Sequence, residues 1–420
     1  MDNPERARIL RIMIEASDIL IVGGGLNGAA LALALAQTGH SVTIIDSLAE
    51  TTRKNAAFDG RSYALALASQ RLLAAIGVWE EVVANAQPML EIKVTDGHAG
   101  FGPSPFFMHF DHAEIEEGPM GFMIEDRHLR RAFLESMQGF AAITRISGRS
   151  VTAQGHTEAG VAITLDDDAV IQGKLLIGCD GRNSGTATRA GIKRTGWGYD
   201  QTALVCAIEH ELPHYGIAHQ FFMPPGPLAI LPLTGNRSSI VWSERTETAK
   251  RINDLPKAEY LQVLRPRFGD FLGDIRLQGD RFTYPLNLSV ANSFIDEKLA
   301  LVGDAAHGLH PIAGQGLNAG LRDVGALAEV LTLAGRRGED IGSALVLERY
   351  QEWRRFDTTT LAMATDAFNR LFSNDNSLLR IGRDIGMGIV GSLPGLRRGF
   401  VREAAGLTGD LPKLLQGRAI

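Results

Sequence analysis

The chain has 420 residues, 45% hydrophobic and 21% charged, enough for two or three domain-sized units with ordinary cores. Its net charge of −6 argues against the basic field of a nucleic-acid binder. Two cysteines, Cys179 and Cys206, stand far apart without metal-ligand spacing, which excludes a disulfide framework and suits a reducing cytoplasm.

Residues 1–17 mix acids and bases through a short apolar run and predict a flexible N-terminal extension rather than a secretion signal. No run reaches the roughly 20 apolar residues of a membrane span. Residues 18–23 predict a buried parallel strand, 26–38 an Ala/Leu-rich helix that Gly39 ends, and 41–46 a second strand. Helices are expected at about 64–76 and 126–138, flanking a less regular aromatic stretch with Phe101, Phe106, Phe107 and Phe110. Residues 141–179 read as short strands, with turns at Gly148, Gly155, 166–168 and Gly173, before the turn Asp180-Gly181. Residues 202–212, 217–233 and 237–245 predict longer antiparallel strands that wall a binding chamber. A strand returns at 298–304, followed by a helix at about 315–334 with Leu317, Leu321, Val324, Ala328 and Leu331 on one face. Residues 340–420 read as mainly helical, interrupted by Gly and Pro.

The glycines 23–28 (GGGLNG) fall at the first turn of a βαβ unit, where a dinucleotide fingerprint belongs. Gly23 would permit the tight turn, Gly25 the approach of a pyrophosphate and Gly28 close helix–strand packing. Asp46 ends the second strand, placed to accept from an adenosine ribose hydroxyl. A turn that merely joins strand to helix is the plainer reading, which the flanking strands and the acid disfavour. The fingerprint does not separate NAD from FAD.

Residues 303–323, GDAAHGLHPIAGQGLNAGLRD, do separate them. Asp304 would accept from the ribityl chain of a flavin, and residues 314–316 would bring main-chain N–H groups to its pyrimidine edge. Reduced flavin is negative there, and a helix N-terminus contributes about half a positive charge. The alternative is a capped helix start in which Asp304 satisfies a loop. His307 and His310 have no further ligands nearby, so an orienting role outweighs metal binding and no metal is expected. Arg61, in the 59–61 triplet, reads as a pyrophosphate or ring contact or as a solvated surface residue. Asp180-Gly181 reads as a phosphate or ribose contact or as an ordinary turn. Arg127 is a weaker candidate, better read as a helix-surface charge.

Together the fingerprint at 23–28, the 59–61 triplet, Cys179-Asp180-Gly181 and the 303–323 block resemble the ubiquinone-biosynthesis hydroxylases. These are class A FAD-dependent aromatic monooxygenases related to para-hydroxybenzoate hydroxylase. The string HPIAGQGLN at 310–318 is the most specific feature, and LFSNDNSLLRIGRDIG and AAGLTGDLPKLL look like family tails. The likeness spans nearly the whole chain. It implies an α/β fold: a Rossmann-like FAD-binding domain with an inserted antiparallel-sheet substrate domain and a helical C-terminal region. The FAD-binding domain is expected from 18–80, 120–190 and 285–340, and the substrate domain from 81–119 and 191–284. Residues 341–420 form the helical region. In one departure, the family's Arg three residues after the DGxxS serine is Ala187 here, with Arg189 two residues on. That puts the turn's role with a nicotinamide cofactor in question.

The resemblance implies that reduced FAD takes up molecular oxygen as a C4a-hydroperoxide and hydroxylates the ring of a polyprenyl phenol. The expected cofactor-binding residues are Gly23, Gly25, Gly28, Asp46, Arg61, Asp180, Asp304, Gly314, Gln315, Gly316, Leu317 and Asn318. Pro311, Gly314 and Gln315 would shape the oxygen and flavin-ring site, with no side chain assigned as the phenol's base. NAD(P)H or a protein reductant would supply electrons. A prenyl-tailed substrate suggests a chamber opening toward the inner face of a membrane. Residues 366–420 carry eight Lys/Arg against five Asp/Glu around the apolar stretch 385–396. That fits a cytoplasmic, peripheral location, or equally a tail packed on its own domain or on another ubiquinone-biosynthesis protein. Two other readings keep the flavin: a prenyl-lipid reductase or epoxidase, and a non-catalytic scaffold of a quinone-biosynthesis complex.

Overall fold

In the computed structural model, which describes residues 13–98, 102–158, 160–309, 314–372 and 393–420, the apolar run Ile19, Leu20, Ile21 lies at the centre of an eight-stranded sheet. Its strand, Met13–Val22, pairs in parallel with Val42–Asp46 on one side and Val170–Gly178 on the other. Ile143–Ser147 and Leu299–Leu301 extend the parallel set outward. Unbroken apolar runs suit strands covered on both faces. Helix Leu26–Ala36 is buried from Gly28 onward, and helix Gln315–Arg336 packs against it. The class expected from sequence, α/β with an added antiparallel sheet and C-terminal helices, is the one observed.

Several local expectations are corrected. Part of the flexible extension expected at 1–17 is strand: Met13, Ile14 and Ser17 pair with Val170, Ile171 and Gly173. Ladder hydrogen bonds to a neighbouring strand override the polar composition there. Residues 1–12 lie outside the described residues. The helix expected from about 64 starts at Leu67, because Ser62–Ala66 pairs as a strand with Gly121–Glu125. Gly148 and Asp168 do turn the chain at positive φ. Gly155 and Gly173 instead lie inside strands, and a Cβ at Gly173 would fall 2.7 Å from Leu20.

The irregular aromatic stretch is a hairpin, Glu91–His98 with Gly102–Asp111, and it joins a second eight-stranded sheet. That sheet is built on Arg194–His210, flanked by Arg237–Arg245 and by Ile275–Ala291. The last of these runs 17 residues without interruption, through the expected domain boundary at 284/285. The single strand expected at 217–233 is two, Ile217–Phe222 and Leu228–Leu233, separated by a turn containing Gly226. Two helices that the sequence reading missed, Thr246–Asn253 and Lys257–Phe268, cover one face of this sheet over Trp242, Ile240 and Leu204. The 340–420 region is helical at Ala344–Phe372 and Pro394–Ala404, while most of the first family-tail string and most of the 385–396 stretch lie outside the described residues.

Where the two sheets meet helix Gln315–Arg336, the chain buries charge. Asp323, with no exposed surface, accepts from Gly303 N–H at 2.9 Å and from Arg354 Nε at 2.8 Å. His307 Nε2 lies 2.6 Å from the same carboxylate. Arg354 also donates to Asp357 at 2.9 Å, and Arg322 donates to the carbonyls of Gly406 and Thr408, each at 3.0 Å. Burial pushes the Asp323 carboxyl up, but His307 and Arg354 outweigh it and hold it below the ordinary carboxylate value. A depressed carboxyl stabilises the fold above its unfolded-state value, about 3.9, and that stabilisation is lost as pH falls through the native value. Arg354→Met leaves Asp323 buried without its cation and should cost about 3–5 kcal/mol, read from the denaturant midpoint. The same change should move the midpoint of acid unfolding to higher pH, followed by circular dichroism.

Candidate cofactor site

The first strand ends in the glycine turn. Gly23 has φ +107°, and a Cβ there would stand 2.3 Å from the Cys179 carbonyl oxygen. A Cβ at Gly28 would stand 2.0 Å from the Gly23 carbonyl, so helix and strand close on each other only through glycine. Gly25, the N-cap of helix Leu26–Ala36, has open space instead. No side chain caps that helix and no acid lies in its first turn, which leaves its first N–H groups to an anion. Asp46 ends its strand beside this turn, its Oδ2 2.7 Å from where a Cβ at Gly24 would be.

From Asp46 a chain of ion pairs and main-chain hydrogen bonds runs to Asp59. Arg53 Nε donates to Asp46 Oδ2 at 2.7 Å. Arg130 holds the carbonyls of Thr52 and Arg53, each at 3.1 Å, and donates to Asp126 at 2.6 Å. Asp126 meets Arg61 Nη2 at 3.1 Å, and Arg61 Nη2 also donates to Asp59 at 2.6 Å. Burial works against the Arg61 charge, but Asp59 and Asp126 outweigh it and raise its pKa further. Arg61 is thus ion-paired just before strand Ser62–Ala66, in a separate three-stranded sheet, with its side chain still 41% exposed. Arg127, read as a surface charge, donates to buried Glu125 at 2.7 Å and to the Ala56 carbonyl at 3.1 Å.

The second signal closes on the first. A Cβ at Gly303 or Gly320 would fall 2.2 or 2.3 Å from Asn27 Nδ2, so the side chain in the middle of the first fingerprint fills the space that both glycines leave. Its Oδ1 is buried and has no hydrogen-bond partner among the described residues. Gly314, at φ +66°, is the N-cap of helix Gln315–Arg336, which again has no side-chain cap and no acid in its first turn. Space is open at Gly316, and a Cβ at Gly314 would press on Ala64 at 3.0 Å. Two uncapped helix starts and an orphaned buried acceptor fit a group bearing phosphates and hydroxyls.

Other expected residues have structural work. Asn318 donates to the Ala64 carbonyl and accepts from Ala66 N–H and Ser69 Oγ, fastening the start of the long helix to strand Ser62–Ala66. The Asp180 carboxylate accepts from Ser184 Oγ at 2.5 Å and from Thr186 N–H at 2.9 Å, as a helix-start turn would have it. Ala187 is buried, and Arg189 turns away to Gln154 and the Val151 carbonyl. The guanidinium that does approach Asp304 is Arg182, at 3.1 Å, which the sequence reading missed although it directly follows the turn glycine. His307 orients a loop through Asp323. Pro311 and His310 lie outside the described residues, as do Ile312 and Ala313.

A profile of the FAD binding domain family matches residues 16–363. The chain is 45% identical over 406 residues to the ubiquinone hydroxylase UbiL of Rhodospirillum rubrum, covering 96% of this chain and 93% of that protein. It is 34% identical over 397 residues to the 3-demethoxyubiquinol 3-hydroxylase of Escherichia coli, covering 94% and 99%. Among solved structures, p-nitrophenol 4-monooxygenase PnpA from Pseudomonas putida shares the fold, with a TM-score of 0.77 at 19% identity over 94% of this chain and 99% of that one. With the glycine turn, the uncapped helix starts and this end-to-end likeness, the chain belongs to the FAD-binding ubiquinone hydroxylase family.

Proposed function

We propose that this chain is a FAD-dependent monooxygenase that hydroxylates the aromatic ring of a polyprenyl phenol in ubiquinone biosynthesis. The observation that carries the reading is the meeting of both cofactor signals around Asn27, in a chain 45% identical to a ubiquinone hydroxylase. Bound FAD supplies the redox chemistry that activates molecular oxygen, with NAD(P)H or a protein reductant as electron source. The protein binds, orients and excludes water. N–H groups at the start of helix Leu26–Ala36, reached past Gly25, hold the pyrophosphate. Asp46 takes the adenosine ribose, Arg61 the pyrophosphate side and Asp304 the ribityl hydroxyls. The main chain at 314–316, with Gln315 and Leu317, would meet the pyrimidine edge of the ring; Pro311, expected from the sequence at the oxygen site, lies outside the described residues. The second sheet forms the chamber wall that orients the phenol.

No helix among the described residues is long and apolar enough to cross a membrane. A lipid-tailed phenol is best received from a bilayer surface at the inner face. Exposed Leu393, Leu396 and Phe400, on or beside the basic helix Pro394–Ala404, support that peripheral placement.

Asp304→Ala should raise the Kd for FAD about tenfold, the worth of one hydrogen bond to a charged group. A purified variant with full flavin occupancy and unchanged Kd would remove Asp304 from the site. Gly314→Val places a β-branched residue at positive φ against Ala64 and should block flavin reduction and oxygenation; normal turnover would put the ring elsewhere. Cells lacking the protein should accumulate a polyprenyl phenol short of one ring oxygen, seen by mass spectrometry of quinone-pathway lipids and reversed by re-expression. An unchanged lipid profile, absent a redundant hydroxylase, would sink the biosynthetic assignment.

A further inference from the structure

The turn after strand Val170–Gly178 splits its side chains between two directions. The Asp180 carboxylate turns to the helix start at Ser184 and Thr186. Gly181, at φ +81°, reverses the backbone, and Arg182 extends to the second sheet. Its guanidinium reaches three separate elements. Nε donates to Asp304 Oδ2 at 3.1 Å, Nη1 to Asn287 Oδ1 at 3.1 Å and Nη2 to the Leu309 carbonyl at 2.9 Å. The stem lies across Gly308, where a Cβ would fall 3.2 Å from Nε. All three nitrogens are engaged, so the planar fork is held in one orientation.

Arg194 fixes the main chain of the same turn. Its Nη2 donates to the Asp304 carbonyl at 3.2 Å and its Nη1 to the Ala305 carbonyl. With the backbone held there, Arg182 is left to set the direction of the Asp304 side chain. Asp304 accepts through Oδ2 alone, and its Oδ1 has no partner among the described residues. The Asp304 side chain is 38% exposed and that of Arg182 33%, so the pair faces an opening. An ion pair that wet contributes little to stability. A three-armed guanidinium at that place is better explained by orientation.

We propose that Arg182 is a positioning residue for the cofactor. It holds Asp304 by Oδ2 so that Oδ1 is presented to a ribityl hydroxyl, and ties the turn to the second sheet through Asn287. The ordering of the Asp304 side chain is then complete before FAD arrives, which strengthens binding. The inference rests on the reading of Asp304 as the ribityl acceptor.

The test is the Kd for FAD of the full-length apoprotein, by quenching of flavin fluorescence, with folding checked by circular dichroism. The variants are Arg182→Met, Asp304→Ala, the double variant and, from the same turn, Arg189→Met. Arg182→Met and Asp304→Ala should each weaken binding about tenfold, and the double variant no more than Asp304→Ala alone, because both act through one hydrogen bond. Arg182→Lys keeps a cation for Asp304 and should fall between wild type and Arg182→Met, while Arg189→Met keeps the wild-type Kd. If Arg182→Met does not fold, Arg182→Gln takes its place with the same expectations. A wild-type Kd in Arg182→Met beside a weakened Asp304→Ala overturns the role of Arg182 alone. An additive loss of about a hundredfold in the double variant overturns it too, since Arg182 then acts independently of Asp304. A wild-type Kd in Asp304→Ala overturns the reading of Asp304 itself.

Discussion

The carboxylate of Asp323 is the constraint on which the rest of the site depends. A buried carboxylate must be paired and hydrogen-bonded, and this one takes its partners from three places in the chain. The Gly303 N–H opens the turn that carries Asp304, His307 follows on the short strand after it, and Arg354 comes from the next long helix. Stability alone does not account for such a cluster, since an apolar replacement of similar volume is often as stable. An apolar cluster cannot, however, fix the direction of an N–H group. Asp323 sets the attitude of the 303–309 turn relative to helix Gln315–Arg336, and with it the place of Asp304.

The rim of the site follows the same logic at lower cost. Arg53 pairs with Asp46, Arg130 with Asp126, and Arg61 with Asp126 and Asp59, while Arg130 links the first pair to the others through the carbonyls of Thr52 and Arg53. Charged groups arranged in this way are oriented before a ligand arrives. The two helix starts complement them: both lack a capping side chain, so their N–H dipoles stay available to negative charge. Asn27 lies where the two halves meet, which is why Gly303 and Gly320 have no side chains.

Much of this was legible in the chain itself. The run at 18–23 is a strand because unbroken apolar sequence ending in glycine is a local signal, 41–46 because its residues alternate and are β-branched, and the Leu317-to-Leu331 stripe is a helix face because its spacing is local too. The family was readable from motifs whose spacing is itself a backbone requirement. Boundaries failed where pairing overrode composition. Residues 64–66 look helical until Asn318 and the Gly121–Glu125 strand claim their backbone groups. Gly155 and Gly173 resemble turns but stand where a neighbouring strand or side chain leaves no need or no room for more.

By itself the sequence determined that Gly23, Gly25 and Gly28 stand at the turn from strand to helix, and the clash that keeps Gly28 a glycine, with the Gly23 carbonyl, acts within a few residues of the chain. It also determined that acids stand at positions 46 and 304 and that the long helix begins behind a glycine. What only the tertiary structure decided is which partner each polar group takes. Arg182, not Arg189, reaches Asp304, and Asn318 serves the strand at 62–66. Hydrogen bonds are short and directional, so those pairings exist only once segments more than a hundred residues apart are brought within about 3 Å of one another.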